Sequence, residues 1–181
     1  MLLNQKDSLL VLVDVQEKLT PFVLDSDLLI AKCEWLLKLA VRLQVPILIS
    51  EQYPQGLGAT LAALQSYGND TFTKVHFSCM QEPGFLTSLK AQNKKQLVLI
   101  GIEAHVCVLQ TALDMKEQGF EVYVVVDAVS SRHENDLKYG LKRMKQEGVH
   151  LITSEMVFFE WIRKAGTLQF KALSKEFLRS N

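Results

Sequence analysis

The sequence has few cysteines, no net charge and no long apolar run, and each of these absences excludes a class of protein. Its three cysteines are widely spaced and form no CxxC pair, which argues against a disulfide framework and a structural zinc site. Lys and Arg together number 20, as do Asp and Glu, so the chain lacks the basic surface of a nucleic-acid-binding protein. No apolar run reaches the roughly 18 residues that span a bilayer, and the N-terminal segment does not resemble a signal peptide. A cytoplasmic protein that binds neither nucleic acid nor membrane is expected.

The chain does contain a regular alternation of short apolar runs and helical patterns. Its 181 residues, 48% of them hydrophobic, suffice for one domain over residues 1–181 with a sizeable core. Continuous apolar runs such as LLVLV, LVLI and VYVVV are typical of strands buried on both faces. The alternation predicts an α/β fold, with a six-stranded, mostly parallel sheet and helices on both faces.

The pattern also places the individual elements. Strands are predicted at 9–15, 47–50, 71–75, 96–102, 121–126 and 150–153. Helices are predicted at 28–43, 60–66, 85–91, 108–118, 136–146, 155–164 and 168–178.

Cys107 falls where the helix after the fourth predicted strand begins. A thiol at a helix N-terminus faces unpaired backbone N–H groups and the positive end of the helix dipole, and both favour the thiolate. Cys107 is therefore a candidate nucleophile. The alternative is that it is a small buried hydrophobic residue, which is the general habit of a free cysteine.

Two more reactive side chains stand at predicted strand ends. In open α/β sheets, ligands bind beyond the carboxyl ends of the strands, where the strand order reverses. Asp14 closes the first strand and Lys74 lies near the end of the third, so both could meet Cys107 at that edge. A carboxylate there could take a thiol proton and return it later, and a lysine would hold the carboxylate and favour the thiolate. The backbone N–H groups of Glu103 and Cys107 could bind an oxyanion. The alternatives are a turn carboxylate and a surface lysine.

Several segments together resemble the isochorismatase-like cysteine hydrolases. They are DVQ after the first strand, a lone Lys after the third, GIEAHVCVLQTA at 101–112 and DAVSSR at 127–132. The resemblance spans roughly residues 8–162. The segment EQYPQGLG at 51–58 resembles the isochorismatase-domain branch of this family rather than the nicotinamidases.

The resemblance implies a Rossmann-like three-layer fold, a triad of Asp14, Lys74 and Cys107, and a cis peptide bond between Ile102 and Glu103. The nicotinamidase branch binds a metal through an Asp and several His in the loop after the second strand. Here that loop reads EQYPQGLGATL and contains neither, so no metal is expected. No cofactor is expected either, because no GxGxxG follows the first strand.

The expected activity is hydrolysis of a small amide or related C–N bond, through a thioester on Cys107. The apolar lining of the substrate pocket is expected to include Leu19, Phe22, Tyr53 and Phe77. The substrate is a small molecule of unknown identity, and the resemblance implies a homo-oligomer.

Two other functions stay open at this point. One is a catalytically weak binding or scaffold protein that retains the fold. The other is a redox sensor, in which Cys79 would be the thiol that resolves oxidised Cys107. A structural expectation is that Asp127 and Arg132 pair and brace the loop after the fifth strand.

Overall fold

The sheet contains six strands, all parallel. A computed structural model describes residues 1–68 and 70–178. The strands are β1 (Ser8–Val13), β2 (Ile47–Gln52), β3 (Asp70–Lys74), β4 (Gln96–Ile102), β5 (Glu121–Ser130) and β6 (His150–Ile152). They lie in the order β3-β2-β1-β4-β5-β6, and every neighbouring pair is parallel. The predicted α/β class is confirmed, and the sheet is parallel throughout rather than mostly parallel.

The helices alternate with these strands. They are α1 (Ser26–Arg42), α2 (Pro54–Leu57), α3 (Ala62–Gln65), α4 (Pro83–Ala91), α5 (Leu109–Glu117), α6 (Glu134–Gln146), α7 (Ser154–Ile162) and α8 (Leu168–Phe177). A π-helical turn, Ala104–Val108, joins β4 to α5. Within the two described stretches, none of the helices combines the length and apolarity needed to cross a membrane.

Helices cover both faces of the sheet because the central strands are apolar on both sides. Successive side chains of a strand point to opposite faces. On β1, Leu10 and Leu12 join a core formed with α1, α3, α7 and α8. Leu9, Val11 and Val13 join a second core formed with α4, α5 and α6. The result is a three-layer sandwich, as expected.

The strand order reverses between β1 and β4, since successive strands are added outward from this pair in opposite directions. In open parallel sheets, the crevice at the carboxyl ends of such a pair is the usual ligand site. The residues that follow β1 and β4 are therefore the first to examine for function.

Two predicted strand boundaries are wrong. The first strand ends at Val13 rather than at residue 15, because Asp14 has a φ of 51° and leaves the extended conformation. The fifth strand continues to Ser130 rather than ending at residue 126. A register shift in β4 lets Gly101 pair with Val129 and extends the ladder beyond the polar Asp127.

Gly101 is a position where only glycine fits. Its φ is 115°, and a Cβ atom added there would lie 2.1 Å from the carbonyl oxygen of Val13. The backbones of β1 and β4 therefore approach closely at the point where each strand delivers its chain to the crevice.

Gly101→Ala is expected to lower the free energy of unfolding by about 3 kcal/mol or more, because backbone atoms on both strands must move. Gly119 is the matched control: its φ is 86°, but a Cβ atom there meets nothing within 4 Å. Gly119→Ala should cost only about 1–2 kcal/mol for the left-handed conformation. Denaturant unfolding followed by circular dichroism measures both, and equal losses would contradict the close approach.

Candidate active site

The Asp14 carboxylate is fixed by β2. Asp14 is fully buried, and its left-handed backbone is one that Asp tolerates better than most residues. Its N–H donates to the carbonyl oxygen of Ser50 at 3.1 Å. The Ser50 hydroxyl in turn donates to Oδ1 of Asp14 at 2.7 Å. Both contacts follow from the register of the sheet, which pairs Val13 with Ser50.

Lys74 ends β3 and points its ammonium group at this carboxylate. Nζ lies 2.8 Å from Oδ2 of Asp14, and both side chains are almost completely buried. Nζ also donates to Oε1 of Gln52 at 2.6 Å and to the carbonyl oxygens of Phe77 and His76 at 2.9 and 3.3 Å. An ammonium group has three N–H donors, so protein acceptors occupy all of them.

The buried ion pair keeps Lys74 charged. Burial alone would lower the pKa of Lys74, but the nearby negative charge of Asp14 more than offsets it and the pKa is raised. Among the described residues, Oδ2 of Asp14 accepts no well-directed hydrogen bond, although Lys74 lies in ion-pair contact with it. That oxygen therefore has room for a proton.

Cys107 is the fourth residue of the π-helical turn and lies close to both charges. It is 6% exposed, and its thiol donates a long hydrogen bond to Oε1 of Gln52 at 3.8 Å. Burial raises the pKa of the Cys107 thiol well above its ordinary value, the charge and hydrogen bonding of Asp14 raise it further, and Lys74 acts in the opposite direction.

This direction corrects the expectation that the helix N-terminus makes Cys107 a thiolate. Desolvation and the Asp14 carboxylate outweigh the helix dipole, because the first turn of the helix is itself buried. At neutral pH the thiol of the free protein is protonated, so a thiolate forms only when a base removes the proton. Asp14 is the group that can act as this base.

Glu103 begins the π-helical turn. The peptide bond between Ile102 and Glu103 is cis. The carbonyl oxygen of Glu103 accepts hydrogen bonds from the N–H groups of Val106 and Val108 at 3.1 and 3.2 Å, which closes the turn around Cys107.

The Glu103 side chain has a partner that the sequence analysis assigned elsewhere. Its Oε2 accepts hydrogen bonds from the N–H and Nε of Arg132, both at 3.1 Å. The expected pair of Asp127 and Arg132 is therefore wrong. Asp127 instead accepts from the N–H and hydroxyl of Ser154 at 2.8 and 2.6 Å, and lies 3.5 Å from Lys32.

The four predicted pocket residues lie in two different settings. Leu19 is partly buried against the core on the α1 face of the sheet. Phe22, Tyr53 and Phe77 are more than half exposed. Tyr53 and Lys74 both line a cavity of about 210 Å³ beside the ends of β2 and β3.

The other two cysteines are also free, buried thiols. Cys79 belongs to the same core as Cys107, and its N–H donates to the Thr111 hydroxyl on α5 at 3.0 Å. Burial and the charge of Asp14 raise the pKa of Cys79 to about 11. Cys33 lies in the core on the other face of the sheet. Across residues 1–68 and 70–178, no three His, Cys, Asp or Glu side chains cluster in a way that could hold a metal ion.

Sequence reasoning missed the residues that β2 supplies to the site. Ser50 and Gln52 alternate with Glu51 and so point to the face on which Cys107 lies. The parallel register also pairs Gln52 with Lys74. Polar residues at alternate positions near the end of an apolar strand are the signal that identifies them.

Comparison with known proteins gives a consistent result. The isochorismatase domain model matches residues 8–156. Isochorismatase domain-containing protein 2 of Danio rerio is 39% identical over 174 residues, which cover 96% of this chain and 88% of that protein.

Solved structures with the same fold include two that are described by activity. The MAR1 ribonuclease of Caenorhabditis elegans has a TM-score of 0.91 and 37% identity, covering 99% of this chain and 94% of that one. The YcaC gene product of Escherichia coli, an octameric hydrolase of unknown specificity, has a TM-score of 0.91 and 27% identity, covering 98% of this chain and 91% of that one.

The two buried charges should move the ionisation of Cys107 in opposite directions. Asp14→Asn removes a negative charge that raises the pKa of the thiol, so the midpoint of its alkylation by iodoacetamide should move to lower pH by about one unit or more. Lys74→Met removes the opposing positive charge, so the midpoint should move to higher pH. Mass spectrometry resolves the rate for each cysteine.

Asp127→Asn provides a matched control, because Asp127 is a partly buried carboxylate on β5 that bonds to Ser154 and lies outside this cluster. It should leave the Cys107 profile unchanged. Circular dichroism checks that each variant is folded. Shifts of the same sign in Asp14→Asn and Lys74→Met would contradict the electrostatic assignment.

Proposed function

The chain belongs to the isochorismatase family, and from that premise we propose that it hydrolyses a small amide or related C–N bond with Cys107 as the nucleophile. The observation that carries the proposal is the buried cluster of Asp14, Lys74 and Cys107 at the point where the strand order reverses. A carboxylate, a fixed cation and a protonated thiol in one dry site are the groups that acyl transfer to sulfur requires.

The first half of the reaction forms a thioester. Asp14 takes the thiol proton as the S–H bond breaks, and the sulfur attacks the carbonyl carbon of the substrate. The backbone N–H groups of Glu103 and Cys107 donate to the oxyanion of the tetrahedral intermediate. When the intermediate collapses, the C–N bond breaks and Asp14 returns the proton to the leaving amine.

The second half releases the acid. A water molecule attacks the thioester carbonyl while Asp14 takes one of its protons. The C–S bond then breaks, the carboxylic acid leaves and Asp14 reprotonates the sulfur. Lys74 exchanges no proton in either half, since its donors are occupied by Asp14, Gln52 and Phe77. Its role is to stabilise negative charge as the charge moves between Asp14 and the sulfur.

RNA cleavage is a second candidate, because the MAR1 protein of Caenorhabditis elegans is called a ribonuclease. The balanced charge of this chain, 20 basic and 20 acidic residues, favours a small neutral substrate instead. A catalytically weak binding protein is the remaining alternative. A buried ion pair beside a thiol is costly to maintain and would have no use in such a protein.

Cys107→Ala should abolish turnover in a screen of small primary amides, ureides and a short RNA, because no other thiol can form the thioester. The wild type, mixed with a substrate and quenched in acid, should gain the mass of the acyl group on the peptide that contains Cys107. Cys33→Ala is the matched control, as Cys33 is a buried thiol on the other face of the sheet, and it should retain activity. Full turnover by Cys107→Ala would eliminate the mechanism.

We also propose that the protein forms a homo-oligomer through the edge of the sheet that carries the site. Phe22, Tyr53, Val75 and Phe77 are large apolar side chains, all more than half exposed, and they follow the carboxyl ends of β1, β2 and β3. Apolar clusters of this kind on a protein surface mark interfaces. The octameric YcaC protein shares the fold.

Light scattering during gel filtration should therefore give a mass that is a multiple of 20.5 kDa. The double variant Phe22→Ser, Val75→Ser should shift this mass towards the monomer. Leu168→Ser on α8 alters an equally exposed apolar residue at another surface and should leave the mass unchanged. A monomeric wild type at micromolar concentration would refute the proposal.

A further inference from the structure

The Gln52 side chain lies between the two groups on which the proposed reaction depends. We propose that Gln52 is a positioning residue, which orients the Lys74 ammonium and holds the Cys107 thiol in its protonated form until Asp14 takes the proton. The inference rests on the proposed function of Cys107 as the nucleophile. Gln52 is 8% exposed and is the last residue of β2.

The backbone of Gln52 is held by a second buried amide, that of Gln16. Oε1 of Gln16 accepts from the N–H of Gln52 at 2.7 Å, and Nε2 of Gln16 donates to the carbonyl oxygen of Gln52 at 3.0 Å. Nε2 of Gln16 also donates to the carbonyl oxygen of Gly58 at 2.6 Å. The loop after β2 is therefore tied to the chain two residues after Asp14, which leaves Gln52 little freedom to move.

The orientation of the Gln52 amide follows from its partners. Nε2 donates to the carbonyl oxygen of Val75 at 2.9 Å, while Oε1 accepts from Nζ of Lys74 at 2.6 Å. An ammonium group can only donate and a carbonyl oxygen can only accept. The opposite orientation would therefore create two repulsive contacts. The oxygen, and not the nitrogen, faces the Lys74 ammonium and the Cys107 thiol.

This oxygen acts on both neighbours. It occupies one of the three Lys74 donors, so the ammonium is shared among Gln52, Asp14 and Phe77 and is held back from the sulfur. At 3.8 Å it also accepts from the S–H of Cys107 and would repel a thiolate in the same place. Both effects favour the protonated thiol at rest, so that proton removal awaits the substrate.

Two near-isosteric variants should shift the Cys107 alkylation profile in opposite directions. Gln52→Glu places a negative charge at the position of Oε1, so the midpoint should rise by about one unit, which is a roughly tenfold lower rate at pH 8. Gln52→Met removes the acceptor and frees one Lys74 donor for the sulfur, so the midpoint should fall and the rate at pH 8 should increase several-fold.

Gln96 provides the control for the loss of a buried amide. It begins β4 at the opposite edge of the sheet, is 4% exposed, and bonds to the N–H of Asn4 and the carbonyl oxygen of Leu2. Gln96→Glu and Gln96→Met should destabilise the fold without moving the Cys107 profile. If Gln52 were only structural, its variants would resemble those of Gln96, and unchanged or same-sign shifts would overturn the inference.

A measurement on the wild type avoids any loss of folding in the variants. The infrared S–H stretching band of Cys107, identified by its disappearance in Cys107→Ala, should lie below the frequency of an unbonded thiol. A band at the unbonded frequency would overturn the inference.

Failure of the proposed function looks different from failure of this inference. If Cys107→Ala retains full turnover, the proposed function fails whatever Gln52 does. If Cys107 is required for turnover but the Gln52 variants leave its profile unchanged, only the role of Gln52 is wrong.

Discussion

The ion pair between Lys74 and Asp14 is the interaction on which the rest of the site depends. Removing two charges from water costs several kcal/mol per ion, and their attraction offsets this only where further hydrogen bonds satisfy both groups. Here Ser50 supports the carboxylate, while Gln52 and the Phe77 carbonyl support the ammonium. The pair thus dictates what β2 and the segment after β3 must present to the crevice.

The same burial determines the state of the nucleophile. A thiol close to a carboxylate in a dry site keeps its proton, and the lysine compensates only in part. The protein therefore stores no reactive thiolate at neutral pH, although Cys107 stands at the start of a helix. This arrangement protects the sulfur from oxidants and alkylating agents, because their reactions require the thiolate.

The sequence was sufficient for the architecture and for the three reactive residues, for a physical reason. Strands buried on both faces form apolar runs that are visible without any neighbour, and parallel strands bring their carboxyl ends to one edge. Asp14, Lys74 and Cys107 each follow such a run, and the structure brings them together. The direction of the Cys107 pKa could not be read in this way, because it depends on how deeply the turn is buried and on the distance to Asp14. The partner of Arg132 was missed because several carboxylates lie within its reach and only the turn at Glu103 selects one.

The close approach of Gly101 to Val13 has a consequence for how such a protein can change over time. The two strands that carry Asp14 and the Cys107 turn are in backbone contact, with no side chain or water between them. Their relative position cannot be adjusted by exchanging a side chain, since there is none at the contact. The segments 53–61 and 75–82 have no such constraint and include residues such as Tyr53 and Phe77 that are open to solvent. New substrate preferences can therefore arise by varying these loops, while the pair of strands that holds the base and the thiol is inherited unchanged.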